Sequence, residues 1–368
     1  MTVRRQCRRA LPRSASAWVV ALAVAACAYA ALSAAQSVPT SGDDAPAAPP
    51  ARASPPIALV LPLGSATYGR AAAAVRSGFL AAASAAGEPP LVISHGDNDV
   101  EAAFAQARAA GVRVIVGPLV RDDVKAIAVM GVESPFVLAL NQVDEGVELP
   151  PNMFALTLGI ESDARQLAKL ARGSGAVTVA IIGADSPLQK RFAGAFADSW
   201  VSLGGAAPVS LHFDRAQDML VLLKRELART KVDAALLAVD SSDAVLVKPY
   251  IGTIASYAGS SINDRQPRET LRELEDVHFV DIPWLANPDA REFARVTRPA
   301  LANATLDRLY ALGIDAFRVA QLISEGRIDR MEFDGATGHL MLDTTRQFTR
   351  ESRALQFKGG QVVPAGNP

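Results

Sequence analysis

The sequence predicts an α/β protein of two lobes, each built on a parallel sheet, and three observations predict it. Strand-length apolar runs recur at 57–63, 91–94, 112–116, 136–140, 153–158, 177–182, 209–213 and 234–239, with helical patterns between most of them. The runs are continuously apolar rather than alternating, as strands covered on both faces must be. The stretch LPPNMFALTLGIESDARQLAKLARGSG, residues 149–175, divides the runs into two sets. Its strand passes into the helix from Glu161 without a turn-rich break, as expected where a chain crosses between lobes.

Residues 1–35 read as an export signal: a basic segment up to Arg13, then the apolar run AWVVALAVAACAYAALSA. That run is too short and too alanine-rich for a lasting membrane span. Two exits compete. Val24-Ala25-Ala26-Cys27 fits lipoprotein cleavage before Cys27, whose thiol would receive the lipid, and Ser33-Ala34-Ala35 before Gln36 fits ordinary signal cleavage. Residues 36–56, rich in proline, alanine and serine, predict a disordered tether. The folded domain is expected over 57–364.

It opens with IALVLPLGSATYGRAAAAVRSGFLAA, residues 57–82: a strand, a short polar loop and an alanine-rich helix. Farther on, Phe192, Phe196, Trp200 and Leu203 recur at spacings of four, four and three, which sets them on one helical face above a sheet. YIGTIASYAGSSIN, residues 250–263, again reads as strand then loop after the second set is complete, and predicts a return to the first lobe. The expected division is lobe 1 at 57–154 and 253–323 and lobe 2 at 161–247, with a C-terminal hairpin region at 333–364 assigned to neither.

Composition narrows the partners. With 368 residues, 50% of them hydrophobic, the chain can bury one large core or two medium ones. There are 37 basic and 38 acidic residues, but Arg4, Arg5, Arg8, Arg9 and Arg13 precede the segment that export removes. Without them 32 basic residues face 38 acidic ones, a net of −6, which argues against nucleic acid as a partner. Cys7 and Cys27 are the only cysteines, and both lie in the signal. The folded part therefore has no disulfide, zinc–thiolate site or cysteine nucleophile.

No catalytic constellation appears. His95, His212, His278 and His339 form neither H-x-x-x-H nor H-E-x-x-H, and there is no G-x-S-x-G elbow and no glycine-rich nucleotide fingerprint. Asp122 and Asp123 are adjacent, so a helix points them apart. The reading is a non-enzyme without cofactor or metal. Ligand-cleft candidates come from the carboxyl ends of strands, where open α/β sheets bind ligands. They are Ser65, Thr67 and Tyr68 after the first strand, Asn141 and Gln142 after PFVLALNQ, and Asp185, Ser186, Asp240 and Ser241 in the second lobe. Two of these groups have a plainer reading beside them, Thr67 as helix cap with Tyr68 packing and the Asp-Ser pairs as ordinary N-caps, whereas the amides of Asn141 and Gln142 are the better cleft candidates.

The C-terminal FDGATGHLMLDTTRQFTRESRALQFKGGQVVP resembles the phrase F-x-G-x-[ST]-G-x-[hydrophobic]-x-[hydrophobic]-D of branched-chain amino-acid receptors, carried here by Phe333, Gly335, Thr337, Gly338, Leu340, Leu342 and Asp343. This resemblance implies the type 1 periplasmic-binding-protein architecture, two doubly wound lobes joined by hinge crossings. VIVGPLVRDDVKAI, PFVLALNQ and SSINDRQPRETLRELEDVHFVDIPWL, with the opening stretch, resemble the LppC family of penicillin-binding protein activator lipoproteins. Longer members of that family carry a helical repeat domain where this sequence has the tether.

The resemblance implies a non-catalytic periplasmic regulator that binds and activates a class A penicillin-binding protein, a bifunctional peptidoglycan synthase. It also implies tethering to the outer membrane through a lipid on Cys27, with a small-molecule ligand as an additional candidate occupant of the cleft. The alternative is a solute-binding receptor for amino acids or related molecules of an ABC transporter, which rests on the fold alone.

Overall fold

The computed structural model describes residues 56–131, 135–143 and 148–366. Cys27 and the tether lie outside the described residues. The first sheet is assembled from β1 (Ile57–Leu61), β2 (Leu91–Ser94), β3 (Val114–Val116), β4 (Phe136–Ala139) and β5 (Met153–Ala155), all parallel, in the order β2-β1-β3-β4-β5. Between them run α1 (Gly69–Ala86), α2 (Val100–Ala109) and α3 (Arg121–Val129). Alternate residues of β1 serve opposite cores: Ile57, Leu59 and Leu61 on one face, Ala58 and Val60 on the other. Both faces are covered, hence the unbroken apolar run.

The chain then crosses to α4 (Ile160–Gly173) and a second sheet. Its parallel part consists of β6 (Val179–Gly183), β7 (Val209–His212), β8 (Ala234–Ala238), β9 (Ala255–Ala258) and β10 (Val277–Asp281), with α5 (Pro187–Ser202), α6 (Gln217–Thr230), α7 (Ser241–Ile251) and α8 (Arg268–Glu273) between. Phe192, Phe196 and Trp200 of α5 are buried as the spacing predicts, but Leu203 is 39% exposed, because the helix ends at Ser202.

The predicted return to lobe 1 at Thr253 is corrected. β9 pairs with β8 and β10 pairs with β9, while Ala258 and Phe279 pack in the core of the second lobe. The crossing back comes only after Ile282, through the short helix α9 (Pro283–Ala286), to α10 (Ala304–Ser324). Thirteen of the 21 residues of α10 are buried, the pattern of a helix enclosed nearly all round. It lies beside α1 over the first sheet, with Phe79 edge-on to Phe317 at 5.3 Å between ring centres.

Three short antiparallel strands follow: β11 (Glu332–Asp334), β12 (His339–Leu342) and β13 (Phe348–Glu351). A bridge from Gln347 to Ala155 attaches them to the edge of the first sheet, and Leu340 and Phe348 join its core. The motif residues now have physical roles. Asp315 of α10 is buried and accepts from Ala336 N–H, Thr337 N–H and Thr337 Oγ1–H. A Cβ on Gly335 would lie 2.6 Å from the Asp315 carboxylate, and Gly338, at φ +148°, would meet the Glu351 carbonyl at 2.5 Å. The phrase clamps the small sheet onto α10.

After Ser352 the chain crosses a third time. β14 (Arg353–Lys358) and β15 (Gln361–Pro364) add antiparallel to β10, completing the seven-stranded order β15-β14-β10-β9-β8-β6-β7. The hairpin left unassigned by the sequence reading thus divides at Ser352. Its first part extends lobe 1, and its second lies in the sheet of lobe 2.

Candidate functional site

Between the lobes lies a cleft of about 760 Å³. Arg121, at the start of α3, and Gln142, just beyond β4, line it from lobe 1; Glu161 and Arg165 of α4 and Arg191 and Asp198 of α5 line it from lobe 2. Glu161 and Arg165 are four residues apart on one helix and Arg191 and Asp198 seven apart on the next, so each pair shares a helical face. A recess of about 200 Å³ adjoins the cleft, sharing Gln142 and Arg191, with Leu119, Leu140, Leu158, Leu188, Leu309 and Leu312 among its walls.

Electrostatics favour charge in the cleft. Arg191 donates to Glu161 Oε1 through Nε at 3.0 Å and through a terminal nitrogen. Burial pushes the Glu161 carboxyl up, but the bond from Arg191, the backbone N–H of Glu161 and the Arg191 charge outweigh it and hold the group below its usual range. Arg165 donates to Ser162 Oγ at 3.1 Å. Guanidinium, amide and carboxylate groups so placed suit recognition of polar or charged partners.

The candidates predicted from strand ends fare unequally. Ser65 is buried, and its Oγ accepts from the N–H groups of Thr67 at 3.2 Å and Tyr68 at 3.0 Å, which locks the turn into α1. Thr67 makes no cap, and Tyr68 is 43% exposed instead of packed. None of the three lines the cleft or the recess. Asn141 lines the recess, but its amide is engaged: Nδ2 donates to the Leu119 carbonyl at 3.0 Å and Oδ1 accepts from Gln142 N–H at 2.9 Å. Gln142 lines both spaces.

In lobe 2, Asp185 is exposed and paired with Lys190 at 3.0 Å; the hydrogen bond from Lys190 lowers its pKa. Ser186 holds the N-cap position of α5 without a side-chain bond. Asp240 caps α7, accepting from Asp243 N–H at 2.8 Å and from the Ser242 hydroxyl at 2.7 Å, and Ser241 is buried, with Gln266 donating to its Oγ at 3.4 Å. None of the four lines the cleft or the recess. The strand-end rule missed Arg121, Glu161, Arg165, Arg191 and Asp198. Charged residues on shared faces of the two helices flanking β6 were the available signal.

The crossings form one connected polar network. Arg308 of α10 donates to both oxygens of Asp281, at the end of β10, at 2.9 and 2.8 Å, and to the carbonyls of Ser260 and Asn263 at 2.7 and 3.0 Å. Ser260 Oγ donates to Asp163 of α4 at 2.8 Å. Arg350 of β13 donates to the other oxygen of Asp163 at 2.7 Å. All four charged side chains are buried, none more than 11% exposed. Among the described residues no helix is long and apolar enough to cross a membrane.

Two doubly wound lobes, three crossings and an interlobe cleft define the type 1 periplasmic-binding-protein class. The chain belongs within it to the LppC putative lipoprotein family, whose profile matches residues 28–360. It is 28% identical over 306 residues to the penicillin-binding protein activator LpoA of Edwardsiella ictaluri, covering 71% of this chain and 44% of that protein. To LpoA of Haemophilus influenzae it is 26% identical over 304 residues, covering 80% and 52%. The chain thus spans about half the length of the curated relatives it matches.

Among solved structures, the C-domain of H. influenzae LpoA, described as a regulator of PBP1A, aligns at a TM-score of 0.74 and 23% identity over 84% of this chain and 99% of that one. A Chromobacterium violaceum protein described as a putative branched-chain amino acid ABC transporter aligns at 0.71 and 35% identity, covering 81% and 98%.

Proposed function

We propose that this protein is a non-catalytic periplasmic regulator that binds a class A peptidoglycan synthase and favours its active conformation. The match to the LppC family across nearly the whole folded body carries the reading, together with the activator name borne by its relatives. One structural observation supports it: Asn141, which lines the recess, spends its amide on the protein's own backbone, where a solute receptor would aim such a group at a ligand. An export signal over residues 1–35 would carry the chain into the envelope, and a lipid on Cys27 would anchor it to the outer membrane.

The test is a glycan-polymerisation assay with a class A synthase from the same cell. Faster chain growth on adding the protein is the expected result, and intact mass of membrane-extracted protein reads the lipid. The likeness to the C. violaceum structure supports the solute-receptor alternative. Micromolar amino-acid binding by calorimetry, with no effect on any synthase, would establish that alternative and overturn the regulator.

A further inference from the structure

A network of ion pairs and hydrogen bonds ties the two lobes together at the crossings. Hinge closure needs crossings whose few residues absorb a change in backbone angles while little else resists. Here two guanidiniums from lobe 1 are inserted into lobe 2. Arg308 rides on α10, which packs against α1 over the first sheet, yet its partners are Asp281 and the carbonyls of Ser260 and Asn263, all in lobe 2. Arg350 rides on β13, beside the core of lobe 1, yet binds Asp163 of α4 in lobe 2.

Ser260 joins the two pairs, donating to Asp163 through its hydroxyl and accepting from Arg308 through its carbonyl. The third crossing is held as well: Gln166 of α4 donates to the Ser352 carbonyl at 2.6 Å and accepts from Ser352 N–H at 2.9 Å. A fourth contact runs the other way, with Arg265 of lobe 2 reaching Asp307 and the Leu301 carbonyl at the start of α10.

A rotation of one lobe against the other would part these charges. Arg350, Asp163 and Asp281 lie at 3% exposure or less, and parting a buried charge from its partner is among the costliest defects a fold can carry. The bidentate Arg308–Asp281 pair fixes its own geometry, and the bonds through Ser260 and Arg350 hold Asp163 to it.

We propose that the Arg350–Asp163–Ser260–Arg308–Asp281 network is a lock that fixes the angle between the lobes, so that the molecule presents both as one rigid bracket and does not open and close around a ligand. The inference stands on the hinge alone and holds whichever partner the protein serves.

Electron–electron distance measurement on the full chain tests it. Spin labels go on Arg76→Cys of α1 and Lys224→Cys of α6, both exposed and in different lobes, with Cys7→Ser and Cys27→Ser removing the native thiols. The expected result is a single narrow distance that a mixture of the common amino acids leaves unmoved. Arg308→Ala with Arg350→Ala should lose that single distance, adding a second population of roughly a tenth of the molecules or more. Ser260→Ala, which cuts the link but keeps both ion pairs, should broaden the distribution while the protein stays folded. Two populations in the parent protein, or a shift on adding amino acids, would overturn the lock. So would an unchanged narrow distance in either folded variant.

Discussion

Thr337 donates twice to one oxygen of Asp315, through its backbone N–H at 2.7 Å and its hydroxyl at 2.6 Å, and all three groups are buried. Removing the carboxylate in Asp315→Ala strands those two donors and the Ala336 N–H, at about 1–3 kcal/mol for each. The expected loss of stability is about 3 kcal/mol or more, whereas Thr337→Val, which removes one donor, should cost about 1 kcal/mol. Urea unfolding midpoints give the order. If Thr337→Val proved the costlier, the carboxylate would not be what fastens the small sheet to α10.

The crossing of α1 and α10 depends on two glycines. A Cβ at Gly78 would stand 1.9 Å from the Tyr310 carbonyl oxygen and one at Gly313 would stand 2.1 Å from that of Val75. Both obstacles are backbone, so the helices must separate. Gly78→Ala should cost about 3 kcal/mol. Gly194→Ala on α5 meets nothing within 4 Å and should stabilise by about 0.5–1 kcal/mol. Thermal denaturation of the two variants should therefore move in opposite directions.

Two histidines should titrate on opposite sides of the ordinary value. Hydrogen bonds donated to Asp334 and Glu332, with the charges of those carboxylates, raise His339, so the stability it contributes is full below the unfolded pKa and is lost as pH rises through the folded one. Burial lowers His278 against the opposing charge of Asp276, so its contribution is full above the unfolded pKa and is lost as pH falls through the folded one. Proton NMR of the ring signals across pH 4 to 9 should separate the two, and Asp334→Asn should bring His339 back down. A coincident titration of both would refute these environments.

Substitutions in the cleft test whether a synthase docks there. Gln142→Ala with Arg165→Ala alters the lining, yet stimulation of a class A synthase should stay within about twofold if the partner's anchors lie elsewhere on the surface. Abolished stimulation, with folding intact by circular dichroism, would make the cleft the docking site.

The two-lobed plan was legible because buried parallel strands write an unbroken apolar run, and the crossing at 153–160 lacks a turn-rich break. The point of return was not. β9 and β10 read like any other strand, and only the pairing of Ala258 with Leu237 and of Phe279 with Ala258 tells which sheet they join. Among cleft residues Gln142 could be found, since it sits where a strand ends. Glu161 and Arg191, 30 positions apart, meet only when α4 packs on α5. The capping of α7 by Asp240 was legible in its residue type, whereas the turn of Ser65 back onto its own loop depends on geometry no residue type announces.

The three crossings also impose an order of assembly during synthesis. The strands of the first sheet leave the ribosome first, but α10, which covers the face formed by Leu59, Val116 and Leu138, is encoded at 304–324, after nearly all of the other lobe. The first sheet, residues 57–155, therefore waits with that face covered only by α1 while residues 160–281 are synthesised. A reading frame that stopped before residue 304 would remove the part of that cover that α10 supplies, so a C-terminal truncation is felt in the lobe encoded first.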